Sequence, residues 1–258
     1  MALDRLSLST VPISPFFDKT ALPEATGFVW KRLDRYYLIT NWHVATAKHA
    51  QSGMHLLKGA ARPNMFRCHF IIRVGQYERE PIDIPIRDEH DTPLWLIHPA
   101  QGTSPIDIVA IPLDAEDLKK KATLLPVNEL ANGKLAIMVG MDVFILGYPF
   151  GSRPPAFPVW KRGSIASEPD LVKLTGGYYL VDTASRPGMS GSPAILRSWS
   201  DHVMESNMYV AMTDAPIDRV IGIYSGRLDA APAEAQIGMV WHVDYIDEII
   251  DGGRLDPG

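Results

Sequence analysis

Apolar residues recur in short runs set off by turn formers rather than in long amphipathic stripes. Gly27-Phe-Val-Trp30, Tyr36-Tyr-Leu-Ile-Thr40, Phe70-Ile-Ile-Arg-Val74, Ile108-Val-Ala-Ile111, Val143-Phe-Ile-Leu146, Tyr178-Tyr-Leu-Val181, Val220-Ile-Gly-Ile-Tyr224 and Met239-Val-Trp241 are rich in β-branched and aromatic side chains. The 21 prolines and 20 glycines are spread between these runs instead of gathering in a linker. Many short strands bounded by turn residues predict an all-β sandwich or barrel. Helical periodicity is confined to two places. Val243, Ile246, Ile249 and Ile250 share one face of a predicted helix over residues 243–250. Asp114–Lys121 opens on Asp-Ala-Glu-Asp and closes on three lysines, the charge order that complements a helix dipole. It reads as a polar surface connection between two halves.

A chain of 258 residues makes one large domain or two small ones, with length enough to bury a sizeable core. Its 46% hydrophobic and 21% charged residues exclude intrinsic disorder. A formal charge of −5 offers no basic field for a phosphate backbone, so nucleic acid is not an expected partner. A single cysteine, Cys68, excludes an internal disulfide and every Cys-rich zinc module. It is expected to be a packed thiol beside an exposed His69. No His-Glu-x-x-His, paired-Cys site or acidic calcium loop occurs, and neither a metal nor a cofactor is expected. The most apolar segment, 135–150, is interrupted by Asp142, Gly147 and Pro149 and is too short to cross a bilayer. The first ten residues do not have the pattern of a secretory signal, and the expectation is a cytoplasmic protein without membrane contact.

The candidate chemistry begins at Arg186-Pro-Gly-Met-Ser-Gly-Ser-Pro193. A serine hydroxyl needs a base to take its proton and donors to stabilise the oxyanion that forms. Glycines at 188 and 191 allow a sharp turn that exposes Ser190 and aims successive N–H groups into one concavity. The same composition also describes an ordinary surface turn. In Tyr36-Tyr-Leu-Ile-Thr-Asn-Trp-His43-Val-Ala45 a strand runs into a histidine, the side chain able to accept and return a proton near neutral pH. The other seven histidines lack this setting and read as surface or half-buried residues. A carboxylate must orient the imidazole, and two settings compete: Pro81-Ile-Asp83-Ile84 and Pro105-Ile-Asp107-Ile108. Asp107 leads into the apolar run Val-Ala-Ile-Pro-Leu113, whereas Asp83 is followed by a return to solvent, so the pattern favours Asp107.

The order His43, Asp107, Ser190 in these settings resembles the trypsin/chymotrypsin-like serine proteases, closest to the bacterial branch of Htr/Deg proteases and glutamyl endopeptidases. Thr40-Asn-Trp-His-Val, Asp107-Ile-Val-Ala-Ile and Gly188-Met-Ser-Gly-Ser-Pro carry the likeness. Phe144-Ile-Leu-Gly-Tyr-Pro-Phe-Gly151, Gly163-Ser-Ile-Ala-Ser, Ile221-Gly-Ile-Tyr-Ser-Gly226 and Ile237-Gly-Met-Val-Trp241 follow in register. The resemblance spans about residues 24–250. It implies an all-β fold of two six-stranded antiparallel barrels forming one peptidase domain over 1–258. The first barrel would occupy about 10–113, a crossover 114–130, the second barrel 131–242, and a closing helix 243–250.

The resemblance further implies a serine endopeptidase acting on polypeptides through an acyl-enzyme, with His43, Asp107 and Ser190 as the triad. The N–H groups of Gly188 and Ser190 would form the oxyanion hole. Ala184, Ser185, Ser225, Gly226 and Arg227 would border the residue preceding the cut bond, and the small neutral Ala184 disfavours selection of Lys or Arg there. Arg186 and Arg227 could attract an acidic side chain there instead, but read first as exposed rim residues. Met189 stands where zymogen-activated relatives carry an aspartate, so control, if any, falls to loop order or a regulatory protein partner. No peptide-binding PDZ domain is expected after the last strand, and the oligomeric state is left open. The long connection 197–216 is expected to border the cleft. Two rival readings keep the fold: a catalytically silent peptide-binding module, and an esterase or amidase using the same serine. An α/β-hydrolase is disfavoured by chain order and by the lack of a Gly-x-Ser-x-Gly elbow at Ser190.

Overall fold

The computed structural model describes the chain apart from residues 1–2, 58, 60, 74–77, 101, 103–105, 150, 152–156, 175, 185, 201, 206–208, 211–214 and 229–235. The first half begins with a short helix α1 (Arg5–Ser9), capped by the Asp4 carboxylate, which accepts from Leu6 N–H at 2.9 Å. Strands β1 (Thr10–Phe17), β2 (Thr20–Ala21), β3 (Ala25–Arg32) and β4 (Arg35–Thr40) follow, then α2 (Trp42–Thr46), β5 (Met65–Arg73), β6 (Glu78–Pro85) and β7 (Val109–Leu113). Helices α3 (Ala115–Lys121) and α4 (Val127–Leu130) lead to the second half. That half comprises β8 (Asp142–Gly147), β9 (Val159–Ile165), β10 (Tyr178–Asp182), β11 (Pro193–Ser198), β12 (His202–Val203), β13 (Tyr209–Val210), β14 (Ile217–Arg227) and β15 (Ile237–His242). The final helix is α5 (Asp244–Gly252).

The second half is a closed six-stranded antiparallel barrel in the order β10-β15-β14-β11-β8-β9. The first half differs from a closed barrel. Its ladder runs β6-β5-β1-β3-β4-β7, with β2 folded onto β1, and is open between β6 and β7. The segment between those strands fills the gap: Leu94 N–H donates to Ile86 O at 2.9 Å, and Leu96 exchanges both backbone bonds with Ala110 at 2.8 and 3.1 Å. Those bonds partly cover the open side of β7 without a regular strand, while β6 remains a sheet edge.

Alternation along the central strands sorts side chains into separate cores. Val29, Leu38 and Ile111 face the interior of the first half. Their neighbours Phe28, Trp30, Ile39 and Ala110 face the other way, into a cluster shared with Leu146, Ile195, Val220 and Trp241 of the second half. The interior of the second barrel is a third cluster that includes Ile145, Val181, Ile221 and Val240. Helix α5 seals the seam with Ile246, Ile249 and Ile250. Each buried isoleucine contributes roughly 1.5–3 kcal/mol, so the two halves are held as one packed unit. The Asp247 carboxylate of α5 also accepts the Trp30 indole N–H at 2.9 Å.

The two expected helices form with small shifts. Val243 is the residue before α5, which runs on to Gly252 and ends at Gly253 in the left-handed conformation (φ 59°). Asp114 caps α3 by accepting from Asp117 N–H at 3.2 Å. No helix among the described residues is long and apolar enough to cross a membrane.

Candidate active site

Strand β4 ends at Thr40 and delivers Asn41 and His43 to the seam between the halves. Helix α2 is a single turn whose leading residue, Asn41, makes no side-chain cap. Asn41 Nδ2–H instead donates to the backbone oxygen of Asp107 at 2.7 Å. The Asp107 carboxylate, 4% exposed, reaches His43 twice. One oxygen accepts the His43 backbone N–H at 2.8 Å and the other lies 2.6 Å from Nδ1. A carboxylate on Nδ1 keeps the proton there and puts the imidazole lone pair on Nε2, the nitrogen able to act as a base.

Asp107 Oδ2 also accepts the hydroxyl of Ser225. Ser225 is the extra residue where the β14–β15 register shifts between Tyr224 and Gly226. A bulge re-aims one side chain out of the alternation, and here it places a hydroxyl on the buried carboxylate. Strand periodicity carries no sign of this contact, which adds to the pocket role the family resemblance implies for Ser225.

Ser190 lies in the turn between β10 and β11, with Gly188 and Gly191 both left-handed, at φ 90° and 85°. A Cβ on Gly188 would sit 2.3 Å from Tyr148 O, and one on Gly191 would sit 2.0 Å from Thr26 O. Both positions therefore require glycine for conformation and for space. The turn is tied to the first half through Thr26, which is fully buried. Thr26 N–H donates to Ser190 O at 2.8 Å, and its hydroxyl donates to Gly188 O at 2.7 Å. The Thr40 hydroxyl in turn donates to Thr26 O at 2.8 Å. Thr26 is a positioning residue the motifs do not reveal, because a threonine inside a strand looks like any other. Among the described residues, neither Gly188 N–H nor Ser190 N–H has a hydrogen-bond acceptor.

His43, Asp107, Ser190 and Ser225 line one cleft of about 570 Å³ together with Ala184, Arg227 and Met239. His49, which the sequence pattern leaves among surface or half-buried histidines, also lines it. A second, smaller hollow of about 200 Å³ is also lined by His43 and Ser190. Its walls include Pro15, Leu22, Pro23, Ala47, Leu56 and Leu57. Gly226 closes the bulge with φ 103°. Ser185 and much of the 197–216 connection lie outside the described residues. Asp83, the rival carboxylate, is on β6 and half-exposed, bound through both oxygens to Arg67 at 2.8 and 2.9 Å. Arg67 holds its carboxyl below the usual range.

Two histidine expectations are corrected. His69 is half-buried rather than exposed, and burial together with Arg79 and Arg67 lowers its pKa. His202 is fully buried, with Nδ1 2.8 Å from the Ser198 hydroxyl. Cys68 is fully buried and burial raises its thiol pKa far above the ordinary value. Among the described residues no group of three or more His, Cys, Asp and Glu is arranged to hold a metal ion.

Residues 25–200 match the profile of the trypsin-like peptidase domain, more than half of the chain. The chain belongs to the trypsin-like peptidase domain family. No curated protein matches it. Among solved structures it is similar to a thermostable serine protease from an extremophilic microorganism (9% identity, 96% of this chain and 97% of the other, TM-score 0.51). It is also similar to a serine endoprotease from Yersinia pestis (14% identity, 96% and 65%, TM-score 0.48). A third is a protease from M. tuberculosis in its active form (18% identity, 98% and 85%, TM-score 0.45). The chain spans 65% of the length of the Yersinia chain. At 9% identity the first likeness speaks for the fold alone.

In this trypsin-like peptidase domain the residue before Ser190 is Met189, only 1% exposed and packed in the second barrel's core. A Cβ on Gly147 would meet its sulfur at 2.8 Å. The serine turn is thus anchored by apolar burial at the position where an aspartate would need a buried cation.

Proposed function

We propose that this domain is a serine endopeptidase. The single observation that carries the reading is the buried Asp107 carboxylate 2.6 Å from His43 Nδ1, in the cleft that Ser190 also lines. In the proposed reaction Ser190 Oγ bonds to the peptide carbonyl carbon while its proton passes to His43 Nε2. The oxyanion is received by the N–H groups of Gly188 and Ser190, for which the structure holds no competing acceptor among the described residues. Collapse breaks the C–N bond, and His43 returns the proton to the departing amine. Water then attacks the acyl-enzyme by the same steps, with His43 again moving the proton. Asp107 holds the imidazole in the required tautomer throughout.

Two hollows that both reach His43 and Ser190 support an endopeptidase, since they offer a polypeptide room to lie around the cut bond beyond a single side-chain pocket. Ala184 and Met239 give the larger cleft a neutral wall, which favours a small or apolar residue before the cut bond. Arg186 and Arg227 would sit at its rim. Polypeptide is the proposed substrate, and no cofactor enters the reaction. The test is digestion of a proteome-derived peptide library by wild type and by Ser190→Ala, alongside labelling with a fluorophosphonate probe. Internal cleavage and labelling by wild type alone are expected. Labelling without peptide cleavage would favour an esterase or amidase, and the absence of both would leave a silent peptide-binding module.

A further inference from the structure

The residues after α5 turn back across the first half, where Ile97 N–H donates to Arg254 O at 2.9 Å and Leu96 forms a bridge with Leu255. This path buries the Asp256 side chain, 7% exposed. One oxygen of its carboxylate accepts two indole N–H groups, from Trp42 at 2.7 Å and Trp95 at 3.0 Å. The other accepts Gly258 N–H at 2.9 Å, and Asp256 N–H donates to Trp95 O at 3.2 Å. The Arg87 guanidinium lies 5.0 Å over the Trp95 ring and supplies the nearby positive charge.

Trp42 immediately precedes His43. Helix α2 is five residues long and lacks a side-chain cap, too short to hold its own geometry in water. Its position is set from outside. Asp107 grips it at the His43 backbone N–H and Asn41 side chain. The second grip on its first turn is the Trp42–Asp256 bond. A buried carboxylate with several donors cannot shift without leaving one of them unpaired, which is costly in a site shielded from water.

We propose that Asp256 is a positioning residue for His43: through the Trp42 indole it fixes the roll of α2 and so the placement of the imidazole between Asp107 and Ser190. This rests on the serine endopeptidase reading for its kinetic consequence, but not for its structural one. Trp95 supplies the internal control, because it donates to the same carboxylate without adjoining the site. In Asp256→Ala and Trp42→Phe, kcat should fall on the order of tenfold with KM changed less than about twofold, somewhat less than a 1 Å misplacement would cause. Trp95→Phe should lower the midpoint of thermal unfolding about as much as Trp42→Phe while keeping its activity. Asp256→Asn retains a carbonyl acceptor and should recover part of the loss.

The His43 Nδ1–H proton resonance reports the same displacement without catalysis. It should shift or broaden in Asp256→Ala and Trp42→Phe and stay in place in Trp95→Phe. An unchanged resonance in Asp256→Ala, or equal loss in Trp42→Phe and Trp95→Phe, overturns the proposal. A wild type that fails to label with a fluorophosphonate overturns the endopeptidase reading instead, and the resonance then decides the positioning role alone.

Discussion

Replacing Asp107 with asparagine keeps the volume of the side chain and inverts half of its hydrogen bonding. The carboxylate accepts from three donors: His43 Nδ1 at 2.6 Å, His43 N–H at 2.8 Å, and the Ser225 hydroxyl. An amide has one acceptor oxygen and one donor group. If its oxygen keeps the His43 backbone N–H, its NH₂ faces Nδ1, which must then lose its proton. The imidazole responds by carrying the proton on Nε2, the nitrogen that in the proposed reaction receives the one from Ser190. The ground-state structure would change little, but the base would be occupied. In the serine protease template the equivalent tautomer error costs about 10⁴-fold in turnover, or roughly 5.4 kcal/mol at 1.36 kcal/mol per decade. The assay is the rate of fluorophosphonate labelling or ester hydrolysis at neutral pH, with Ser190→Ala as background. Asp83→Asn is the matched comparison, since it occupies the same Pro-Ile-Asp-Ile setting yet is bound to Arg67 at the surface of β6. It should change the rate less than about twofold, as surface ion pairs contribute little. An Asp107→Asn rate within tenfold of wild type, or an equal fall in Asp83→Asn, would refute the reasoning.

Three further outcomes follow from the packing. Gly191→Ala places a Cβ 2.0 Å from Thr26 O at a left-handed residue, and denaturant titration should show a loss of roughly 2–5 kcal/mol; under 1 kcal/mol would mean the turn is not confined as described. His242 has its pKa lowered by burial, and its Nδ1 accepts Asp244 N–H at 3.2 Å, a bond that requires that nitrogen unprotonated. The unfolded chain therefore binds protons first, so stability should decline as pH falls below about 6.5, and His242→Gln should flatten that slope in urea titrations at several pH values. Buried Cys68, with its thiol pKa raised, should resist iodoacetamide in the folded protein and react once denaturant is added; rapid alkylation of the native state would contradict the burial.

What could be read from residue order was the local grammar. Runs such as Tyr36–Thr40 and Val143–Leu146 became β4 and β8 because β-branched and aromatic side chains at period two fit a pleated, half-buried surface. The Ile246, Ile249 and Ile250 face foretold the helix that seals the seam. Strand β1 was illegible because Pro12 and Pro15 break its pattern, and β6 because its edge position leaves charged residues along it. Helix α2 is too short for any periodicity to register.

The site divides in the same way. His43, Ser190 and the flanking glycines stand in recognisable local settings. Asp83 and Asp107 share one, the apolar run after Asp107 favours the latter, and the fold shows Asp83 as a surface partner of Arg67 and Asp107 as the buried partner of His43. Thr26 and Asp256 hold the machinery across separations of 162 and 214 residues, to Gly188 and Trp42 respectively. Ser225 meets Asp107 through a bulge that no alternation announces. Backbone preference and side-chain period act over a few neighbours and so are written in the order of residues. Contacts between distant segments exist only once the chain has folded, and the fold decided which carboxylate meets the histidine, which threonine meets the serine turn and which tail residue meets Trp42.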